Sequence, residues 1–351
     1  MELNENKLHD LLGKVVTEMG AAANGPLITI GDKLGLYKTL SESNKMSSQQ
    51  LADATNTAER YIREWASAQA ASGYINYDSS SNTFSMTPEQ TAVFGNAKSP
   101  VFMTGAFYAI SSLYFDESKI ENAFKTGEGV SWGDHNSCLF CGTEKFFSPS
   151  YEGNLIGSWL PALDGVVEKL KQGAKVADIG CGHAASTIIM AKAFPNSSFI
   201  GYDYHEKSIK QAKERAKDAG IKNISFEVAT AKDFTGKDFD FIAFFDCLHD
   251  MGDPVGACAH AKNALKPDGT CMIVEPFAKD SLAENLNPVG RAFYAFSTML
   301  CVPCSLNQEV GKALGAQSGE KRLKDTITSG GFSSFKRATE TPFNLILEAR
   351  P

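Results

Sequence analysis

A strand that runs into a glycine turn and then into a helix is the feature of this 351-residue sequence that most restricts its fold. Residues 176–187 read VADIGCGHAAST, and Gly180 and Gly182 remove Cβ atoms where the chain must turn tightly. The following helix presents unpaired N–H groups in its first turn, which suit a carboxylate or a phosphate. The segment therefore predicts a ligand site at the end of a buried strand.

Around this turn, apolar strands alternate with helical segments through the C-terminal half. Such alternation predicts a doubly wound α/β domain, with a mostly parallel, seven-stranded, Rossmann-like sheet and helices on both faces. The last two predicted strands, 333–338 and 343–349, meet around Pro342 as a hairpin at the sheet edge. The preceding strands are predicted at residues 175–179, 198–202, 224–228, 239–244 and 270–274.

Residues 1–95 have a different pattern, in which short helices precede a β-hairpin. After an opening helix, the pattern predicts helices over 28–40, 47–54 and 57–72 and a hairpin from Tyr74 to Met86. This order is typical of a winged helix. The chain is thus predicted to contain a mainly helical winged-helix domain (1–95), an aromatic-rich connector or lid (96–150) and the sheet domain (151–351).

The charge of the predicted winged helix argues against nucleic acid as a partner. Residues 1–95 hold seven Lys and Arg against eleven Asp and Glu, and the expected recognition helix offers only Arg60 and Arg63. Binding to phosphates needs a basic surface. A homodimerisation and substrate-covering role is therefore favoured, and a ligand-sensing transcription regulator is the alternative.

Two cofactors compete for the glycine turn. Gly180-x-Gly182-x-x-Ala185 satisfies the dinucleotide fingerprint, and Asp203 closes the next strand as a ribose ligand would, so an NAD-dependent oxidoreductase is one reading. Asp178 precedes the first glycine by two residues, and its carboxylate would repel a pyrophosphate but attract an ammonium and a sulfonium. The sequence therefore favours S-adenosylmethionine (SAM).

The acid-x-Gly-x-Gly form of residues 178–182 resembles the first motif of the class I SAM-dependent methyltransferases, whose second strand ends in an acid like Asp203. The resemblance implies methyl transfer, with SAM as cofactor and S-adenosylhomocysteine (SAH) as product. Two positions depart from the family, which often has a glycine at Ala184 and an Asp at Thr230. The implied cofactor contacts are Asp178, Gly180, Cys181, Gly182, Asp203, Tyr204, Thr230, Ala231, Lys232, Asp233, Asp246 and Cys247.

The predicted chemistry needs one base. Methyl transfer from a sulfonium is an in-line displacement, so the protein aligns the acceptor and, for a hydroxyl, accepts its proton. His249 follows the fourth strand, at the sheet edge where doubly wound folds bind ligands. Its segment Leu248-His249-Asp250 resembles that of two-domain small-molecule O-methyltransferases, which use this histidine as general base; a helix-capping histidine is the alternative.

Two acids are candidates to assist His249. Asp250 is adjacent in sequence, and neighbouring residues on a helix point apart, so Glu275 is the preferred orienting partner. The favoured acceptor atom is oxygen, and nitrogen, sulfur and carbon stay open.

Over its whole length the chain also resembles a bacterial family of winged-helix-bearing, SAM-dependent methyltransferases. The resemblance rests on residues 144–151 (EKFFSPSY), 248–254 (LHDMGDP), 285–291 (NLNPVGR) and 311–317 (GKALGAQ). That family has no settled substrate, so the acceptor is predicted only as a small molecule. The residues predicted to line its pocket, each of which core or interdomain packing would equally explain, are Phe146, Phe147, Tyr151, Trp159, Asn287, Arg291 and Tyr294.

The remaining constellations give weaker signals. Two Cys-x-x-Cys pairs, Cys138/Cys141 and Cys301/Cys304, have zinc-like or redox-like spacing, but no further His or Cys cluster supports them, and no metal is predicted. A formal charge of −7 and a pI near 5.5 disfavour anionic partners. The first residues lack a secretory pattern, and the apolar stretch 101–115 is interrupted and short for a membrane span, so a cytoplasmic location is expected.

Overall fold

A computed structural model describes residues 3–351 of the chain. The chain forms two compact units: one contains the described residues up to Tyr114 and Ser137–Ser150, and the other contains Phe115–Asn136 and Tyr151–Pro351. The predicted connector is therefore divided, because residues 115–136 pack with the second unit. The limits 1–95, 96–150 and 151–351 stay a prediction.

The first unit begins with the winged-helix pattern. Ser47 caps the third helix through a reciprocal capping box with Gln50, and the two short strands pair antiparallel. The elements are α1 (Glu5–Lys33), α2 (Leu36–Ser41), α3 (Ser48–Thr55), α4 (Glu59–Ala71), β1 (Asn76–Asp78), β2 (Thr83–Ser85) and α5 (Pro88–Gln90).

The predicted helix break before Ile28 is wrong. Helix α1 continues through Pro26 to Lys33, and the chain turns at Gly35, whose φ is +69°. Proline inside a helix loses one hydrogen bond, but this stretch of α1 is buried, so packing offsets that loss. Helix α1 packs closely at Gly31, where an added Cβ would lie 2.7 Å from the rings of Trp65 and Tyr37.

Three further helices cover the predicted connector: α6 (Thr104–Phe115), α7 (Glu117–Thr126) and α8 (Cys138–Asn154). Within the first unit, α6 and α8 cross closely because two glycines remove side chains from the crossing. A Cβ on Gly105 would lie 2.3 Å from the Phe146 nitrogen, and one on Gly142 would lie 2.4 Å from the Ala109 nitrogen. Most of the apolar stretch 101–115 thus forms α6.

The second unit is built on a seven-stranded sheet of order β5-β4-β3-β6-β7-β9-β8. The first five strands in this order are parallel, and β9 runs antiparallel between β7 and β8. The elements are α9 (Val166–Gln172), β3 (Lys175–Ile179), α10 (Ala185–Ala193), β4 (Ser198–Asp203), α11 (Glu206–Asp218), β5 (Ile224–Val228), β6 (Phe239–Phe245), α12 (Pro254–Ala264), β7 (Leu265–Pro276), α13 (Pro288–Phe296), α14 (Val302–Leu306), α15 (Gly319–Ser329), β8 (Ser334–Glu340) and β9 (Asn344–Arg350).

The predicted doubly wound, mostly parallel, seven-stranded fold with a closing hairpin is confirmed. Strand β7 is longer than predicted, because it begins at Leu265, which pairs with Phe239 before an irregularity in register. The strand order reverses direction between β3 and β6, and open α/β sheets bind ligands outside the strand ends at such a point. The fold therefore directs attention to the residues that follow β3, β4 and β6.

Helices α13 and α14 join through a π-helical turn, Ser297–Cys301, into one apolar stretch. This stretch, Pro288–Leu306, is long and apolar enough by length and composition to cross a membrane, and 44% of its most apolar window is buried in the protein. One such helix is weak evidence for a membrane span, since core helices of soluble proteins satisfy the same criteria.

Candidate cofactor and active site

The glycine turn joins the ends of β3 and β4. The backbone N–H groups of Gly180 and Cys181 both donate to the Tyr202 carbonyl, at 2.8 and 3.0 Å. Gly180 has a φ of +73°, and a Cβ there would lie 2.8 Å from the Cys247 sulfur. At Gly182, with a φ of +52°, a Cβ would meet nothing within 4 Å. The turn is thus packed on one side and open to a ligand at Gly182.

Asp178 lies at the floor of this turn with one oxygen unsatisfied. Its Oδ2 accepts hydrogen bonds from the hydroxyls of Ser186 and Thr187 at 2.7 and 2.6 Å, whereas Oδ1 is buried without a partner among the described residues. Burial raises the pKa of Asp178 to about 6. A buried acceptor without a donor is costly, and a ligand ammonium would satisfy it.

A second unsatisfied polar atom belongs to a predicted pocket residue. Trp159 is fully buried, and its indole N–H has no partner among the described residues. Its ring stands edge-on to that of Tyr151, with centroids 5.8 Å apart. The buried Trp159 donor and the buried Asp178 acceptor are the two groups that a carboxylate and an ammonium would satisfy, and the methionine part of SAM carries both.

Asp203 is the last residue of β4 and lies at the rim of the site formed by the glycine turn. Its two oxygens accept hydrogen bonds from the backbone N–H groups of Gly182, at 2.9 Å, and His205, at 2.8 Å. Each carboxylate oxygen can accept a second bond, so capacity for ribose hydroxyls is left. Burial raises the pKa of Asp203. Tyr204 is partly exposed beside it, and its hydroxyl lies 4.0 Å from the Cys304 sulfur.

The predicted adenine-side residues follow β5 in an Asx-like turn. Asp233 accepts bonds from both the backbone N–H and the hydroxyl of Thr230, each at 2.8 Å. Ala231 is half-buried, and the Lys232 ammonium is paired with Glu309 at 2.8 Å. A carboxylate therefore stands beside Thr230.

His249 forms a buried pair with Glu275. The histidine Nδ1 lies 2.7 Å from Oε2 of Glu275, whose Oε1 accepts the backbone N–H of Leu248 at 3.0 Å. Burial is the largest single effect on His249 and would lower its pKa, but the adjacent Glu275 carboxylate and the Cys301 thiol together raise that pKa well above its ordinary value. The expected contact with Glu275 is present at Nδ1, and the imidazole also has a side-chain hydrogen bond with Cys301.

Asp246 and Asp250 flank His249 in the sequence. Asp246 has a φ of +50°, and its carboxylate accepts the Tyr151 hydroxyl at 2.8 Å and the Asn344 amide at 2.9 Å. Burial raises the pKa values of Asp246 and Asp250 to about 7 each. Asp178 near the end of β3 and Asp246 and Asp250 after β6 are thus three acids with raised pKa values at this sheet edge, and a cationic ligand there would favour their ionised forms.

Two comparisons by family model match this arrangement. A model described as a methyltransferase domain matches residues 170–325, and one described as an Rv2258c-like winged HTH domain matches residues 22–95. The chain contains a SAM-dependent methyltransferase domain, and its fold fits that of the class I enzymes with an N-terminal winged helix. Its winged helix precedes the methyltransferase domain, as predicted, and the glycine turn with its open face and unsatisfied Asp178 fits SAM.

Curated methyltransferases are similar to part of this chain in sequence, and solved methyltransferase structures are similar to it in fold. A demethylmenaquinone methyltransferase from Staphylococcus carnosus is 32% identical over 110 residues, which cover 30% of this chain and 45% of that protein. The chain thus spans about half the length of the curated relatives it matches. Human N-acetylserotonin methyltransferase, solved with SAM, aligns over 100% of this chain and 99% of its own at 14% identity, with a TM-score of 0.71. An O-methyltransferase family protein from Burkholderia thailandensis aligns over 97% and 98% at 13% identity, with a TM-score of 0.68.

The methyltransferase brings only part of the predicted acceptor pocket together. In the second unit, Tyr151 and Trp159 pack against each other, whereas Arg291 and Tyr294 lie along α13. Asn287 uses both polar groups on local structure, since its Oδ1 accepts the Gly290 N–H and its amide donates to the Glu284 carbonyl. Phe146 and Phe147 belong to the first unit, with ring centroids 5.0 Å apart.

Sequence reasoning missed Asn344 as a residue of the site. It stands at the start of β9, where antiparallel pairing with β7 places it beside Asp246. No local motif marks it, because the contact spans 98 positions of sequence. Among the described residues, no group of three or more His, Cys, Asp or Glu is arranged to hold a metal.

Proposed function

We propose that this methyltransferase transfers a methyl group from SAM to the hydroxyl of a small molecule, with His249 as general base. The observation that carries the proposal is the buried His249–Glu275 contact of 2.7 Å at the sheet edge that also holds the glycine turn. SAM, when bound, supplies an electrophilic methyl group on a sulfonium. The protein's part is to bind, orient and accept a proton.

The cofactor would be held by groups that are unsatisfied or open in the protein. Asp178 Oδ1 would receive the ammonium, the Trp159 indole N–H would donate to the carboxylate, and Asp203 would accept the ribose hydroxyls. Gly182 would permit close approach of the backbone. Cys181 and Cys247 pack at the turn as neutral thiols, because burial raises their pKa well above the ordinary value.

Glu275 would fix the orientation and the tautomer of the base His249. Glu275 holds Nδ1 of His249, so the proton of the acceptor hydroxyl would go to Nε2. Glu275 would then stabilise the imidazolium that forms, as a carboxylate does in other histidine-acid pairs. Tyr151, held by Asp246 and packed on Trp159, would form part of the wall against which the acceptor lies.

The winged helix is proposed to mediate dimerisation, not DNA binding. Arg63 is bonded twice to Glu59, at 2.9 and 2.6 Å, and Arg60 is paired with Glu64 at 2.7 Å. Both arginines of the expected recognition helix are therefore already neutralised. We also propose a cytoplasmic location, which agrees with the finding that none of the eight cysteines forms a disulfide.

The test of the proposed chemistry replaces the base without changing the fold. His249→Gln keeps the size of the side chain but cannot accept a proton, so methyl transfer to a phenol screened from a panel should fall by roughly a hundredfold or more. SAH affinity should stay within about threefold, because His249 is assigned to the acceptor and not to the cofactor. Rates are measured with isotope-labelled SAM.

A matched control is His260→Gln. His260 is a half-buried histidine of the same unit whose Nε2 contacts the Phe234 carbonyl at 2.9 Å, outside the site. Its replacement should leave the rate within about twofold. A His249→Gln rate within tenfold of wild type would contradict the role of His249 as base.

A further inference from the structure

A loop that neither the cofactor motifs nor the predicted pocket includes runs past the Asp203 rim. We name residues 129–136 the strap. One end is fixed to α14, because the Val130 N–H donates to the Pro303 carbonyl at 3.0 Å. Gly129 fits closely there, since a Cβ would lie 2.0 Å from the Asn307 nitrogen and 2.4 Å from the Pro303 oxygen.

The other end of the strap is fixed by a buried acid at the start of α7. Asp116 is 1% exposed, and its Oδ2 contacts Nδ1 of His135 at 3.0 Å and accepts the Asn136 N–H at 2.9 Å. Lys119 donates to Oδ1 of Asp116 at 2.7 Å and also to the Asp134 carbonyl at 2.5 Å. These contacts form a latch of one carboxylate, one histidine and one ammonium.

The middle of the strap lies against the residues that follow β4. A Cβ on Gly133 would be 3.6 Å from the ring of His205, whose backbone N–H is bonded to Asp203. Tyr204 lies between Asp203 and His205 in the sequence. Its hydroxyl contacts the sulfur of Cys304 on α14, the helix to which the strap is fixed. The strap thus contacts both α14 and the residues that follow β4, and Tyr204, next to Asp203 in sequence, connects the same two elements.

We infer that the strap is an additional wall of the cofactor cleft, that it closes the Asp203 side, and that it must release for SAH to leave. This inference rests on the proposed function in one respect, namely that the cleft binds SAM and SAH. The closed form has an energetic weakness, because Nε2 of His135 is buried without a partner among the described residues. A buried nitrogen without a partner disfavours the closed state, which suits an element that opens.

The test weakens the latch from its exposed side. Lys119→Ala removes both ammonium contacts while leaving the buried histidine and carboxylate in place. SAH dissociation, followed by stopped-flow tryptophan fluorescence, should become about five- to tenfold faster, with a smaller change in association. The strap contains Trp132, and Trp132→Phe identifies how much of the signal comes from it. Glu121→Gln, which alters an exposed ion pair with Lys125 on the same helix α7, is the matched control.

Hydrogen exchange gives a second, activity-free measurement. The N–H groups of Val130 and Asn136 should exchange more slowly when SAH is bound, and Lys119→Ala should abolish most of that protection. Asp116→Asn is the stronger variant and should show the same effects to a larger degree. Dissociation and exchange that are unchanged in Lys119→Ala would overturn the strap inference, whereas a wild-type protein that does not bind SAH would overturn the proposed function instead.

Discussion

At the scale of single residues, the His249–Glu275 pair links protonation to catalysis. The pKa of His249 is raised by the Glu275 carboxylate, so the histidine stays protonated above its ordinary range around 6.5. A general base must be neutral, so kcat/KM should rise with pH through the raised pKa. A bound sulfonium would repel the imidazolium and favour the neutral form.

Replacing Glu275 by Gln should move this titration. The variant removes the negative charge that holds the proton, so the acid limb of the kcat/KM profile should shift to lower pH. The plateau rate should fall as well, because the imidazolium formed on proton transfer loses its partner. An exposed acid, Asp268, provides the control as Asp268→Asn. An acid limb that stays in place would show that Glu275 does not set the pKa of the base.

Residue-level departures from the family are explained in part by backbone geometry. Ala184 stands where the family often has a third glycine, and it adopts the left-handed conformation that a glycine would, with a φ of +66°. Beside the Thr230 departure, the Asp233 carboxylate accepts two hydrogen bonds from Thr230. The sequence alone predicted neither outcome, because φ and side-chain rotation depend on the packed turn.

At the scale of elements, a substitution in the glycine turn should affect protein stability and SAH affinity to different degrees. Gly182 has a left-handed φ of +52° and open space at its Cβ position. Gly182→Ala should therefore lower stability by about 1–2 kcal/mol, the cost of a side chain in this conformation. SAH affinity should fall by more than tenfold, because the methyl group would enter the space that the cofactor needs.

Gly220→Ala is the matched control for this prediction. Gly220 has a φ of +69° and equally open surroundings, but it follows α11 and lies outside the site. The backbone cost should be similar, and SAH affinity should not change. Calorimetric titration with a parallel denaturation curve measures both quantities, and equal SAH affinity in the two variants would contradict the assignment of the turn.

Elements with a local signal were predictable, and those set by distant contacts were not. Strands β3, β4, β5 and β6 were placed within one residue at each end, because their apolar runs are bounded by clear turns. The break in α1 was misplaced, because Pro26 is a strong local breaker that burial overrides. The Asn344–Asp246 bond was not predictable, because only the antiparallel register of β9 creates it.

At the scale of the whole molecule, helix α1 presents an apolar face that the single chain does not cover. The exposed residues recur three and four positions apart, as on one side of a helix. The face is formed by Leu11, Leu12, Val15, Val16 and Met19, each at least 45% exposed. We propose that a second copy of the chain covers it, since identical helices supply complementary apolar faces.

Charges on this face should dissociate the dimer. Leu12→Asp combined with Val16→Asp should give the monomer mass in sedimentation equilibrium at micromolar concentration, where the wild type should give twice that mass. Lys14→Asp changes the opposite side of the same helix and should leave the dimer intact. A wild-type monomer under these conditions would contradict the proposed dimer.

The central claim is that the cleft after β3 and β4 binds SAM through Asp203 and the glycine turn. Calorimetric titration of the whole chain with SAH, beside NADH and repeated on Asp203→Ala, tests it most directly. The predicted result is micromolar SAH binding that is lost in the variant, a cost of several kcal/mol, with no heat from NADH. Binding of NADH, or of neither ligand by a folded wild-type protein, would contradict the account.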